Sequence, residues 1–237
     1  MNSVRITGGK SLKGEVIPQG AKNEALQVLC AVLLTDDKIT INNIPDIIDV
    51  NKLIEILKNL GVSCSSLKNG SYEFFASSIN LDYLKSDEFI SHAKSLRGSI
   101  MLVGPLLARY NTASIPRPGG DKIGRRRLDT HFINLEKLGA KLNYNSKNRI
   151  YNVETNGLVG ADVLLDEASV TGTANLIMAS VLAKGKTTIY NAACEPYIQQ
   201  LCSLLVKMGA KIEGIGSNLL VISGVTKLSG ADHTILP

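Results

Sequence analysis

Three helix-closing glycines recur along the chain at long, similar intervals, and no other feature limits the possible folds as tightly. Leu60-Gly61-Val62, Leu138-Gly139-Ala140 and Met208-Gly209-Ala210 each end a helical apolar pattern and precede a strand-like run, the glycines lying 78 and 70 residues apart. Such self-similarity marks a chain built from copies of one supersecondary unit. Val50, Leu53, Ile54, Leu57 and Leu60 keep the spacing of an amphipathic helix before the first glycine, as do Ile198, Leu201, Cys202, Leu205 and Met208 before the third. Each glycine falls where a helix turns left-handed at its C-terminus, so the three read as structural caps.

A second kind of segment precedes each amphipathic helix. Residues 25–34, 99–107 and 175–182 are apolar nearly all round, as expected of a helix covered on most faces. A strand follows each at 39–44, 112–115 and 187–190, and two more runs follow each cap, the later ones at 72–75, 151–153 and 219–222. The predicted fold class is α/β, with the unit helix-strand-helix-strand-strand occurring three times, its helices buried and its sheets outside. No G-x-G-x-x-G or G-x-x-x-x-G-K-[ST] opens any unit, which excludes a doubly wound nucleotide fold. The 237 residues, 44% hydrophobic and 20% charged, suffice for a sizeable core and do not have the composition of a disordered chain. With 5% aromatic residues and no Trp, that core is aliphatic.

The two ends carry a further repeat. Leu12-x-Gly14 leads into Glu15-Val16-Ile17, Leu158-x-Gly160 into Val163-Leu164-Leu165, and Leu228-x-Gly230 into Thr234-Ile235-Leu236-Pro237. The last copy is the opening strand of a unit without its helix, so the chain is expected to be part of a longer polypeptide. The longest apolar run, residues 100–108, is about half of the ~18–20 residues that span a membrane. The first ten residues hold no secretory apolar stretch. The expected location is cytoplasmic, with no membrane partner.

Candidate chemistry gathers at the turns that open the buried helices. Gly20-Ala21-Lys22-Asn23 places a cation and an amide at a helix N-terminus, where free N–H groups favour anions; a solvated lysine and a capping asparagine are the plain structural alternative. Arg97, in Leu96-Arg97-Gly98-Ser99, holds the equivalent place in the second unit, its plain alternative being a surface ion pair with Asp87 or Glu88. The third unit has Ser169-Val170-Thr171-Gly172-Thr173 there, and the three turns are expected to converge on one face. The stretch 116–129 is Gly- and Pro-rich and carries Arg117, Lys122, Arg125, Arg126 and Arg127 against Asp121 and Asp129. That balance suits phosphate, and the loop has no aromatics for stacking nucleic-acid bases. The net charge of +5 leaves the choice of anion open. Cys30, Cys64, Cys194 and Cys202 show no metal-ligand spacing, so idle thiols and no metal are expected. His92, His131 and His233 form no nucleophile–base pattern; His131, next to the basic loop, could orient a loop carboxylate or substrate, but a surface or helix-capping role is the expectation.

The motifs Gly20-Ala21-Lys22-Asn23-Glu24-Ala25-Leu26, Leu96-Arg97-Gly98-Ser99, Gly119-Gly120-Asp121-Lys122-Ile123-Gly124 and Asn191-Ala192-Ala193-Cys194-Glu195-Pro196 occur in family order. Through them the chain resembles the UDP-N-acetylglucosamine 1-carboxyvinyltransferases, the enolpyruvyl transferases that begin bacterial peptidoglycan synthesis. The resemblance covers the whole chain and about the first half of the family's two-domain length. It implies an inside-out α/β barrel of three repeats over residues 22–229. Residues 1–21 would form a strand segment of the second domain, and residues 230–237 would start the crossover to it.

The resemblance further implies transfer of the enolpyruvyl group of phosphoenolpyruvate to the 3-hydroxyl of UDP-N-acetylglucosamine by addition–elimination, with no cofactor and no nucleic-acid partner. Lys22 and Asn23 would be catalytic, contacting phosphoenolpyruvate or the tetrahedral adduct, and with Arg126 would hold phosphoenolpyruvate. Arg97, Arg126, Arg127, Leu128, Asp129, Thr130, Ser169 and Val170 would hold the nucleotide sugar, and Asp121 would donate the proton. Two positions depart from the commonest pattern: Arg127 stands where the family often has proline, and Asp121 where many members have cysteine. Fosfomycin alkylates that cysteine, so the resemblance implies resistance here. This half alone is expected to be inactive, because the family's base for the sugar hydroxyl lies in the second domain. The competing expectations are a 5-enolpyruvylshikimate-3-phosphate synthase-like enzyme, an RNA-binding or RNA-end-processing module, and a non-catalytic repeat domain.

Overall fold

The computed structural model of the protein describes residues 3–68, 70–119 and 127–237. The first unit runs α1 (Lys22–Ala31), β1 (Lys38–Asn42), α2 (Ile48–Asn59), β2 (Ser63–Ser66) and β3 (Tyr72–Phe75). A connecting helix, α3 (Asp87–Lys94), leads to the second: α4 (Val103–Tyr110), β4 (Thr112–Pro116), α5 (Asp129–Lys137), β5 (Lys141–Asn145) and β6 (Ile150–Glu154). The strand β7 (Asp162–Leu164) leads to the third: α6 (Val170–Ser180), β8 (Lys186–Tyr190), α7 (Pro196–Lys207), β9 (Lys211–Glu213) and β10 (Leu219–Ser223). The last strand is β11 (Asp232–Thr234).

The glycine caps behave as their positions require. Gly61, Gly139 and Gly209 adopt φ of 104°, 92° and 104°. In each unit the residue after the glycine donates its N–H back five positions: Val62 to Leu57, Ala140 to Leu135 and Ala210 to Leu205. The glycine itself donates to the carbonyl three residues back. The same Schellman motif thus ends α2, α5 and α7 and turns the chain into the next strand.

In every unit the three strands pair antiparallel in one order, first, third, second: β1-β3-β2, β4-β6-β5 and β8-β10-β9. The sheets enclose α1, α4 and α6, the apolar helices. From Glu24 to Ala31 and from Gly172 to Ser180 every residue of α1 and α6 is buried. The chain is an inside-out α/β barrel of three units with its helices within, and its buried hydrophobic core is largely aliphatic.

Two sheets gain a parallel fourth strand. β7 adds to β8, and β11 adds to β1. Leu158 and Leu228 are buried ahead of these strands, and Gly160 and Gly230 lie against the carbonyls of Lys186 and Lys38, where a Cβ would come within 2.3 and 2.1 Å. The equivalent N-terminal residues have no such seat. Leu12 is 97% exposed, nothing lies near Gly14, and residues 15–17 form no strand within this chain. In the second unit α3 packs against β4 instead of a fourth strand.

The second buried helix departs from expectation in its first half. Arg97–Leu102 is a 3-10 helix, and the α-helix begins only at Val103. Gly104 N–H donates to Asn175 Oδ1 at 2.8 Å, and Asn175 Nδ2 donates to Ile100 O at 2.8 Å, so the side chain of Asn175 is inserted into the ladder. Pro105 has no N–H to offer Met101. With both α-type bonds lost, the tighter helix remains.

Candidate functional site

α1 opens at Lys22 without a side-chain cap, so its first N–H groups remain available. The 3-10 helix of the second unit opens at Arg97, also uncapped. α6 opens at Val170, where Ser169 Oγ accepts the Gly172 N–H at 3.2 Å. The three openings meet. Lys22 and Asn23, Arg97 and Gly98, and Val170 and Thr171 line one cavity of about 770 Å³.

The cavity is cationic. Lys22, Lys52, Lys94 and Arg97 border it, with Asp49 as the carboxylate among its lining residues. Lys22 Nζ lies 3.0 Å from Asp49 Oδ2, both side chains being about half exposed, so this ion pair is weak and open to exchange for a ligand anion. Burial and then the charge of Glu195 raise the Tyr197 pKa, and Asn23 beside it acts in the opposite direction. Gln27 is 1% exposed and lines the same space, and its Oε1 has no partner.

Arg97 does not pair with Asp87 or Glu88. Its Nη2 donates to Arg127 O at 3.1 Å, while Glu88 accepts from Asn59. That bond joins the second turn to the end of the basic stretch. Arg127 is held by two carboxylates, with Nη2 2.7 Å from Asp129 Oδ2 and 2.8 Å from Asp166 Oδ2. Hydrogen bonding and charge from Asp129 raise the guanidinium pKa, and the bond from Arg127 lowers that of Asp129. Leu128 and Thr130 are buried, and the Thr130 hydroxyl lies 3.2 Å from Asp166 Oδ1 and 3.3 Å from Glu167 Oε1. Asp121 and Arg126 lie outside the described residues.

His131 corrects the expectation of a surface or capping residue. It is 2% exposed, in the interior between α5 and α6. Its Nδ1 is 2.9 Å from Asn175 Nδ2 and its Nε2 is 3.1 Å from Thr171 Oγ1. Burial, and secondarily the charge of Arg97, push its pKa down to about 3. Sequence reasoning also missed Gln27, Lys52, Lys94 and Tyr197. Nothing local to the two lysines marks them, and only tertiary packing brings them to the cavity.

All four cysteines are free, and burial raises Cys202 to about 12 and Cys30 further. Among the described residues no cluster of His, Cys, Asp or Glu could hold a metal ion. None of their helices is long and apolar enough to cross a membrane.

The model of the EPSP synthase (3-phosphoshikimate 1-carboxyvinyltransferase) family matches residues 6–237. The chain belongs to that family. Within it, the UDP-N-acetylglucosamine 1-carboxyvinyltransferase of Bacteroides fragilis is 60% identical over 237 residues, all of this chain and 55% of that protein. The enzymes of that name from Bacteroides thetaiotaomicron and Porphyromonas gingivalis are 57% and 56% identical, again over the whole chain. Solved structures of the family agree in fold. The enolpyruvyl transferase NikO of Streptomyces tendae superimposes with a TM-score of 0.77 at 18% identity, covering 97% of this chain and 53% of that one. EPSP synthase of Acinetobacter baumannii gives 0.71 at 18% identity, covering 96% and 51%. The chain spans about half the length of the curated relatives it matches.

Proposed function

We propose that this chain is the first half of an enolpyruvyl transferase acting on phosphoenolpyruvate and UDP-N-acetylglucosamine. One observation carries the reading: three uncapped or hydroxyl-capped helix openings, from separate repeats, border a single cationic cavity. Helix N-termini and fixed cations stabilise phosphate and carboxylate oxygens without reorganising. Identity of 60% to a relative named for this nucleotide sugar favours it over shikimate 3-phosphate.

In this reading Lys22 and Asn23 hold phosphoenolpyruvate, with Arg126 from the basic stretch. Arg97, Val170 and Ser169 bind the nucleotide sugar, and residues 127–130 frame it. Leu128 and Thr130 act by packing Asp129, Asp166 and Glu167 around Arg127, since their own side chains are buried. The sugar 3-hydroxyl adds to C2 of phosphoenolpyruvate, giving its proton to a base of the second domain, as Asp121 gives a proton to C3. The Asp121 carboxylate then takes a proton back from C3 as phosphate, protonated by that base, leaves C2 and the enol ether forms. A carboxyl donor must be protonated at that moment, so it acts in a closed site, with anionic substrate offsetting the arginines.

We further propose that residues 1–21 belong with a second domain, that the crossover leaves from the end of β11, and that the second domain supplies the other wall of the cleft. The 237-residue chain alone then shows negligible turnover, because the reacting groups are not held together. Calorimetric titration tests the substrate class. The chain should bind UDP-N-acetylglucosamine and not shikimate 3-phosphate; the reverse preference makes it a shikimate-type enzyme. Strongly salt-dependent RNA binding in place of either would make it an RNA module.

A further inference from the structure

Asn175, His131 and Thr171 form a chain of hydrogen bonds whose donors and acceptors can be assigned one after another. Gly104 N–H must donate, so the Asn175 atom 2.8 Å from it is the carbonyl oxygen. Ile100 O must accept, so the Asn175 atom 2.8 Å from it is the amide nitrogen. Rotating the amide by half a turn would set donor against donor and acceptor against acceptor. The same nitrogen lies 2.9 Å from His131 Nδ1, which therefore accepts. A neutral imidazole that accepts at Nδ1 carries its proton on Nε2. Nε2 lies 3.1 Å from Thr171 Oγ1, which accepts in turn. The hydroxyl proton of Thr171 is then left to point elsewhere, and Thr171 borders the cavity shared with Lys22 and Arg97.

We propose that Thr171 is a ligand-binding residue whose hydroxyl is held as a donor into the cavity by His131, and that its partner is a phosphate oxygen of the nucleotide sugar. His131 is a positioning residue, acting on the ligand only through Thr171. The low pKa of His131 agrees with this, since a protonated ring could not accept from Asn175. The network joins α4, α5 and α6, so the direction of one hydroxyl is fixed by backbone groups of another repeat. The proposal rests on the nucleotide-sugar reading, which it deepens by one contact.

The test combines titration with UDP-N-acetylglucosamine and the imidazole nitrogen-15 spectrum of His131, both on the 237-residue chain. Thr171→Ser keeps the hydroxyl and should bind within about twofold of the unaltered chain. Thr171→Val keeps the shape and should bind roughly tenfold more weakly, the loss expected for one hydrogen bond to a charged group. The spectrum should show Nε2 protonated and Nδ1 not. Unchanged binding by Thr171→Val overturns the proposal and leaves the nucleotide-sugar reading standing, as does equal weakening by both substitutions. A proton on Nδ1 overturns the relay. No binding by the unaltered chain overturns the reading and the proposal together.

Discussion

Histidine in an unfolded chain takes up a proton near pH 6.5, whereas folded His131 is held neutral down to about 3 by burial and then by Arg97. Below pH 6.5 the unfolded state binds a proton that the folded state refuses. Stability therefore falls as pH drops from about 6.5 toward 3, by roughly 1.4 kcal/mol per pH unit from this residue, and shows no dependence on it above 6.5. The urea midpoint should fall less between pH 7 and pH 5 for His131→Gln than for the unaltered protein; an equal fall would refute the assignment. His131 was illegible in the sequence because its partners Thr171 and Asn175 lie 40 and 44 residues away in another repeat. Lys22 and Arg97 were legible because each stands at the local start of an apolar helix. A prediction that depends on the proposed function also belongs to single residues. Asp121→Cys should acquire a fosfomycin adduct, seen by intact mass with nucleotide sugar present, while the unaltered protein should not, a carboxylate being the poorer nucleophile.

Helices and strands were the most legible level, because their signals are local. The glycine caps, the apolar helices and the strand runs all lie close to their sequence positions, and the Schellman motif recurs with the same bonds in three places. The failure occurs where another part of the chain intervenes. Asn175 converts the start of the second buried helix to 3-10. The caps give a graded prediction. Gly209→Ala meets no atom within 4 Å and should cost about 1 kcal/mol, the strain of a left-handed alanine. Gly61→Ala would bring its Cβ within 2.4 Å of Ser78 O and should cost clearly more. Denaturant unfolding of the two variants measures the difference, and equal losses would contradict the packing described for the first unit.

At the scale of the molecule, two of the three copies of one strand motif are seated on a sheet edge of this chain. Leu158 and Leu228 are buried ahead of those two strands, and Leu12 is 97% exposed. Deleting residues 1–17 should leave the melting temperature nearly unchanged. Deleting residues 228–237 should unfold the domain, since it removes buried Leu228 and Ile235 and the His233 bond to Glu24 at 2.8 Å. A large loss from the first deletion would mean that the N-terminal segment is seated after all. The same threefold repetition brings three distant helix openings to one cavity, and the functional reading depends on that convergence. Its most direct test is to follow backbone amide resonances while UDP-N-acetylglucosamine is added. Shifts should appear together at residues 22–23, 97–98 and 169–172 and saturate at one concentration. Shifts confined to one of these stretches, or none at any of them, would contradict the shared site.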